Sequence, residues 1–152
     1  MLRITQDSHT KRKYKYIERF LYDSLKEHKD LLPKNLTVNI YNSIRYFNTT
    51  GIASYQNPEA YIPQRVELDL NLEEILWLYK NPDKVGRDIP YYQNKIKGFR
   101  NYLLFVLYHE IGHYNKGHLS YRPPDFTSRE RKARELKADK FSYWLLKRRQ
   151  NL

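Results

Sequence analysis

The chain has 152 residues, which fits one domain and leaves little room for a second. It contains no cysteine, so a disulfide scaffold, a thiol nucleophile and a zinc site built from thiolates are excluded. Its 28 Lys and Arg against 17 Asp and Glu give a formal charge of +11, which favours anionic partners without identifying one. The sequence shows neither an apolar run of membrane-spanning length nor an N-terminal secretory pattern. We therefore expect a soluble, cytoplasmic protein with a single domain over residues 1–152 and no membrane partner.

In the N-terminal half, the sequence pattern predicts one helix followed by short strands. Residues 1–10 have the character of a loose, flexible arm. From about Lys13 to Lys29 the apolar residues recur at spacings of three and four, which is typical of an amphipathic helix. Alternation of apolar and polar residues, or enrichment in aromatic and β-branched residues, then predicts three or four strands. The candidate segments are 36–40, 41–47, 52–56 and 66–70.

In the C-terminal half, the pattern predicts helices. A short helix is expected over residues 72–79 and a long helix from about Tyr91 to Gly117, followed by a loop over 121–126. Thr127 and Glu130 fit a capping box that begins a last helix ending near Arg149. We therefore expect an α+β fold, in which a small mixed or antiparallel sheet of three to four strands packs with an N-terminal helix and two long C-terminal helices.

The long helix contains a His-Glu-x-x-His motif formed by His109, Glu110 and His113. At a spacing of i,i+4 the two imidazoles leave one face of the helix and can chelate one Zn²⁺, while Glu110 can reach a metal-bound water without being a ligand. A pair of surface histidines would be the ordinary alternative. The motif follows a strongly apolar run, however, where two His and a Glu are costly to bury without a metal or another partner.

A third zinc ligand has to come from elsewhere in the chain. In the last helix, Glu135 and Asp139 place two carboxylates at i,i+4 on one face, so that Glu135 can bind zinc and Asp139 can orient a ligand histidine. Ala138 between them is small enough for two helices to approach closely. Pairing with neighbouring Lys and Arg side chains is the alternative for these carboxylates. His118 is the rival third ligand, although its spacing does not match the third His of the metzincin pattern.

The two motifs together resemble those of the ImmA/IrrE family of small metallopeptidases. The matching elements are His109-Glu-Ile-Gly-His113, Glu135-x-x-Ala-Asp139-x-Phe141 and the pair Leu145-Leu146. The second element also resembles the gluzincin arrangement of thermolysin-like enzymes. The resemblance spans roughly residues 33–149 and implies a zincin-like minimal domain. It also implies that His109, His113 and Glu135 are zinc ligands. Glu110 would then be the general base, and Asp139 would lie behind one ligand and orient it.

The function expected from these residues is that of a zinc-dependent endopeptidase, in which Glu110 assists the attack of a zinc-bound water on a peptide bond. The resemblance implies a protein substrate, with a DNA-binding transcriptional repressor as the candidate. His118, Tyr121 and Tyr143 are candidate rim residues or oxyanion donors. The strand over 66–70 is a candidate sheet edge for pairing with an extended substrate.

The basic charge supports two alternative functions. The segment from Arg129 to Arg149 holds nine basic residues against three acidic ones, and Lys11, Arg12 and Lys13 add a second cluster. Interleaved tyrosines could stack on bases. The chain could therefore be a nucleic-acid-binding module with a structural zinc site, or a protease that acts on DNA-associated proteins. A solvated face that serves solubility alone explains the charge equally well.

Overall fold

The computed structural model describes residues 1–42, 51–55, 66–82, 92, 95–115 and 127–150, with the backbone alone at 51–55 and 150. The chain divides into two compact units, Met1–Glu74 and Ile75–Leu152. The first unit contains the sheet, and the second contains the helices that carry both sequence motifs. The expected α+β class is therefore confirmed, whereas the single-domain organisation stays a prediction.

In the described residues, the first unit contains a mixed sheet of four strands in the order β1-β2-β4-β3. The strands are β1 (Leu2–Gln6), β2 (Leu36–Tyr41), β3 (Gly51–Tyr55) and β4 (Val66–Asn71). The pairs β1–β2 and β2–β4 are parallel, and β3–β4 is antiparallel. In β2 and β4 every second side chain is a fully buried aliphatic residue, so the alternation in the sequence defines the face that meets the core.

The described helices are α1 (Ser8–Lys13), α2 (Ile17–Lys26), α3 (Leu72–Lys80), α4 (Phe99–Asn115) and α5 (Ser128–Gln150). In α2 the residues Ile17, Leu21 and Leu25 repeat at i,i+4 and are buried, and the helix packs against β1. By contrast, α4 is buried on all sides from Tyr102 to Gly112. Within the described ranges, no helix combines the length and the apolar character needed to cross a membrane.

The N-terminal prediction was wrong in two respects. Residues 1–10 are not a loose arm, because Leu2–Gln6 form β1, an edge strand paired with β2 through its full length. The helix expected from Lys13 to Lys29 is present as α2 but is shorter, Ile17–Lys26, and a separate helix that was not predicted, α1, precedes it at Ser8–Lys13. The alternation of apolar and polar residues in Leu2–Gln6 is too short to predict a strand. The strand forms because β2 supplies partners for its backbone hydrogen bonds.

Two further expectations about the elements were wrong. The long helix does not begin at Tyr91, because residues 95–98 are not helical and Gly98 has a φ of +89°, a conformation that ends regular helix. The strand over 66–70 is not a sheet edge, because β4 lies between β2 and β3. The last helix agrees with its prediction, since the Thr127 hydroxyl oxygen accepts a hydrogen bond of 3.2 Å from the Glu130 backbone N–H. The strand candidate at 41–47 lies mostly outside the described residues.

Asp7 connects α1 to the end of β2, and its removal should destabilise the first unit. One carboxylate oxygen accepts the Thr10 backbone N–H at 2.7 Å, and the other accepts the Asn42 backbone N–H at 3.2 Å. Burial acts to raise the pKa of Asp7, but these hydrogen bonds outweigh it and hold the pKa below its usual value. We expect Asp7→Ala to lower the free energy of unfolding by about 1 kcal/mol in urea titrations.

The pH dependence of this loss has a defined sign. Because the folded-state pKa of Asp7 is depressed, its contribution is complete above the unfolded pKa of about 4 and disappears as the pH falls through the folded value. The difference between wild type and Asp7→Ala should therefore shrink below about pH 4. Asp23→Ala, which removes an exposed carboxylate of α2, serves as the control and should show a smaller difference. A loss at neutral pH equal to that of the control would contradict the capping role.

Candidate metal centre

The candidate metal centre lies where α5 crosses α4 within the second unit. His109 and His113 stand one turn apart on α4, and Glu135 faces them from α5. The donor atoms of these three side chains all lie within 4.8 Å of one another. The structure thus brings together the three residues that the sequence motifs nominate, although 22 or more residues separate Glu135 from the histidines along the chain.

The spacing of the donor atoms fits a tetrahedral metal ion. His109 Nε2 lies 3.1 Å from His113 Nε2, and Glu135 Oε2 lies 2.9 Å from His109 Nε2 and 3.6 Å from His113 Nε2. Ligands about 2.0–2.1 Å from Zn²⁺ at tetrahedral angles are separated by about 3.3 Å. The three observed distances bracket that separation. Two imidazole nitrogens and one carboxylate oxygen are also the donor set of His₂Glu zinc sites.

Asp139 fixes the orientation of His109 from behind. The His109 Nδ1–H donates a hydrogen bond of 2.7 Å to Asp139 Oδ1, and the Asp139 side chain is only 2% exposed. This bond leaves His109 Nε2 directed at Glu135 and His113. A carboxylate in this position holds the ring and increases the basicity of the ligand nitrogen.

Electrostatics in the centre favour a cation. Burial acts to lower the pKa of His109, but its hydrogen bonds with Asp139 and Glu135 and the nearby carboxylates raise the pKa to about 10. Burial acts to raise the pKa of Glu135, but its contacts with the two histidines hold that pKa far below its usual value. The carboxylates around His109 therefore favour positive charge at the point where its Nε2 atom faces Glu135 and His113.

Glu110 is the buried carboxyl beside the ligand group. Its exposed fraction is 8%, and burial raises its pKa while the neighbouring histidines act in the opposite direction. A carboxyl group with a raised pKa is suited to accept and return a proton near neutral pH. Glu110 therefore lies beside the ligand group as a carboxyl group whose neutral form is favoured by burial.

The remaining candidate site residues have different positions. Tyr143 lies eight residues beyond Glu135 on α5, about 12 Å along the helix axis, and its ring packs 5.0 Å from that of Tyr92. The structure gives it no contact with the ligand group. His118 and Tyr121 lie outside the described residues.

Gly112 is a residue of the centre that the sequence pattern did not single out. A Cβ atom at this position would lie 3.1 Å from Phe141 Cδ1 and 3.2 Å from both the Cα and the carbonyl oxygen of Ala138. The expectation that Ala138 permits close helix approach is thus confirmed, and Gly112 is its counterpart on α4. A glycine inside an otherwise apolar helix was the available signal, because it usually has a packing reason.

Two more polar groups, Ser142 and Tyr102, lie near the centre. The Ser142 hydroxyl donates a hydrogen bond of 2.6 Å to the Phe105 carbonyl oxygen, which ties α5 to α4. Burial and the negative charge of Asp139 raise the pKa of Tyr102 to about 12, so its hydroxyl stays neutral. Tyr102 precedes His109 by seven residues and therefore shares its helix face. This spacing is the signal that could have identified Tyr102 as a neighbour of the centre.

Comparison of the chain with protein-family models, with curated proteins and with solved structures finds no match.

Replacement of Gly112 by alanine should disturb the centre through the helix contact. Because two of the three close atoms belong to the backbone of Ala138, α5 must shift to admit a methyl group. We expect Gly112→Ala to reduce stability by about 1–3 kcal/mol and to weaken Zn²⁺ binding in calorimetric titrations.

Gly98→Ala provides the matched control. It strains a residue with positive φ but has no atom within 4 Å of the added methyl group. We expect it to reduce stability while leaving the Zn²⁺ affinity unchanged. A Gly112→Ala chain that is more stable than wild type, or that binds Zn²⁺ as tightly, would contradict the importance of the close contact.

Proposed function

We propose that the chain is a zinc-dependent endopeptidase that hydrolyses peptide bonds of a protein substrate. The single observation that carries the proposal is the approach of Glu135 Oε2 to within 2.9 Å of His109 Nε2, with Asp139 bonded to the opposite nitrogen of the same ring. A charged helix face does not require carboxylates on both sides of one buried imidazole. A zinc ligand with an orienting carboxylate does.

The chain's own residues suit a hydrolytic reaction. His109, His113 and Glu135 would hold the metal, and when bound, Zn²⁺ polarises a carbonyl group and acidifies water. Glu110 follows the first ligand directly, so it can accept a proton from the attacking water and return it to the leaving amine. The burial of Glu110 keeps its carboxyl away from bulk solvent and thereby raises its pKa, which favours a group that takes up a proton.

Three protein ligands are the number that a catalytic zinc site uses. Structural zinc sites are usually closed by four protein ligands, whereas catalytic sites use three and leave a position for water or substrate. The described residues provide three. We propose with this that the chain has a zincin-like domain similar to the ImmA/IrrE metallopeptidases. Its proposed substrate is a transcriptional repressor.

Metal binding by purified protein tests the ligand set. We expect about one Zn²⁺ per chain in calorimetric titration. Asp139→Asn should lower the affinity by about 10–100-fold, because the orienting charge is lost while the side-chain shape is kept. Glu135→Gln should lower it further, since a ligand is removed.

Glu130→Gln is the matched control for metal binding, because it removes one negative charge from an exposed position of the same helix. It should bind Zn²⁺ like wild type. Absence of Zn²⁺ binding by the wild-type chain, or equal affinities for Glu130→Gln and Glu135→Gln, would refute the proposed ligands.

Glu110→Gln separates catalysis from metal binding. We expect this variant to keep its zinc and to cleave peptides about 10²–10⁴-fold more slowly, because the proton acceptor is lost. Incubation with a tryptic peptide library of a whole proteome, read by mass spectrometry, detects cleavage at many different sequences in one experiment. If the wild type binds zinc tightly yet yields no new peptide termini, the site is structural and the proposed activity is wrong.

A further inference from the structure

The last two turns of α5 combine an exposed indole ring and a half-buried tyrosine with basic side chains. Trp144 is 48% exposed, and the guanidinium of Arg148 lies 4.9 Å from the centroid of its ring. Lys147 Nζ lies 5.2 Å from the ring centroid of Tyr143, and Lys95 Nζ approaches the same ring to 5.8 Å. We call these five residues the aromatic-basic patch.

The charge of this patch has one sign. From Lys140 to Arg149, α5 contains four basic residues and no acidic residue. Basic residues at the C-terminal end of a helix are favoured by the helix dipole, so charge alone would be ordinary. The dipole does not explain an indole ring left half exposed beside a guanidinium, because the exposed ring forgoes the free energy that its burial would provide.

We infer that the aromatic-basic patch binds single-stranded nucleic acid. Proteins that bind single strands combine a basic surface, which follows the phosphates, with aromatic rings on which bases stack. The Arg148 guanidinium lies over one face of the Trp144 ring, so a base stacks on the opposite face while its neighbouring phosphate meets the basic side chains of the same helical turn. Tyr143 is already covered by Lys95, Lys147 and Tyr92, so Trp144 is the stacking ring of the patch. A duplex keeps its base faces hidden, and an acidic polypeptide has no base to stack, so neither partner uses both components.

The patch is separate from the candidate metal centre. Trp144 lies nine residues beyond Glu135 on α5, which corresponds to about 14 Å along the helix axis. Binding of nucleic acid therefore needs neither a metal ion nor Glu110. The inference adds a binding surface to the proposed peptidase and does not depend on its activity.

Fluorescence anisotropy with the full chain tests the inference. The probe is a fluorescein-labelled oligo(dT) of about 20 nucleotides, measured at low salt because phosphate contacts weaken steeply as salt rises. Trp144→Ala should weaken binding about tenfold or more through loss of base stacking. Trp77→Ala is the matched control: Trp77 is also 48% exposed, but its helix α3 begins with Glu73 and Glu74. It should leave the affinity unchanged.

A second measurement works with Trp144 intact. In Trp77→Phe the indole of Trp144 is the only one in the chain, and oligo(dT) should quench its fluorescence. Equal affinities of Trp144→Ala and wild type, or the absence of quenching, would overturn the inference. So would competition by polyglutamate or by a duplex of the same length that is as effective as unlabelled oligo(dT). The first competitor would indicate an acidic protein partner, and the second would indicate phosphate contacts alone.

Discussion

The contact between Gly112 and Ala138 is the constraint on which the candidate metal centre depends. Ligand atoms of a zinc ion must lie about 3.3 Å apart, so the helices that carry them have to approach to within side-chain reach. A glycine facing an alanine permits that approach, and the Ser142–Phe105 hydrogen bond holds the helices together one turn further along α5. Glu135 then reaches both histidines without any change in the course of either helix.

Close helix packing also explains why the polar groups of the centre are tolerated in α4. This helix is buried on all sides from Tyr102 to Gly112, so His109 and Glu110 are removed from water with their apolar neighbours. An isolated charge in such a place is strongly unfavourable. The carboxylates of Asp139 and Glu135 each contact one nitrogen of the His109 imidazole and so offset the cost of burying that ring. Burial of the Glu110 carboxyl raises its pKa, because its charged form is disfavoured away from water.

The sequence predicted best what depends on neighbours in the chain. The i,i+4 spacing of His109 and His113 defines one helix face, and the cap at Thr127 defines where α5 begins. Contacts between distant segments were beyond reach: β1 is a strand because β2 pairs with it, and the order of β2 and β4 cannot be read from alternation. Gly98 could not be assigned from the sequence. A glycine in an apolar stretch is compatible with a weakened helix, which was expected, and also with the positive φ that it adopts.

The candidate metal centre and the basic surface of α5 have a common origin in the packing of that helix. α5 has nine basic and three acidic residues. Of the acidic ones, Glu135 and Asp139 turn toward α4 and the ligand group, and Glu130 is exposed. The face that packs on α4 thus takes the negative charges out of the exposed surface. Any sequence that places two carboxylates on the inner face of this helix, and keeps lysine and arginine on the outer one, gains a strongly basic surface as a consequence. The exposed position of Trp144 is the feature that this arrangement does not require, and it is therefore the feature from which a specific partner can be inferred.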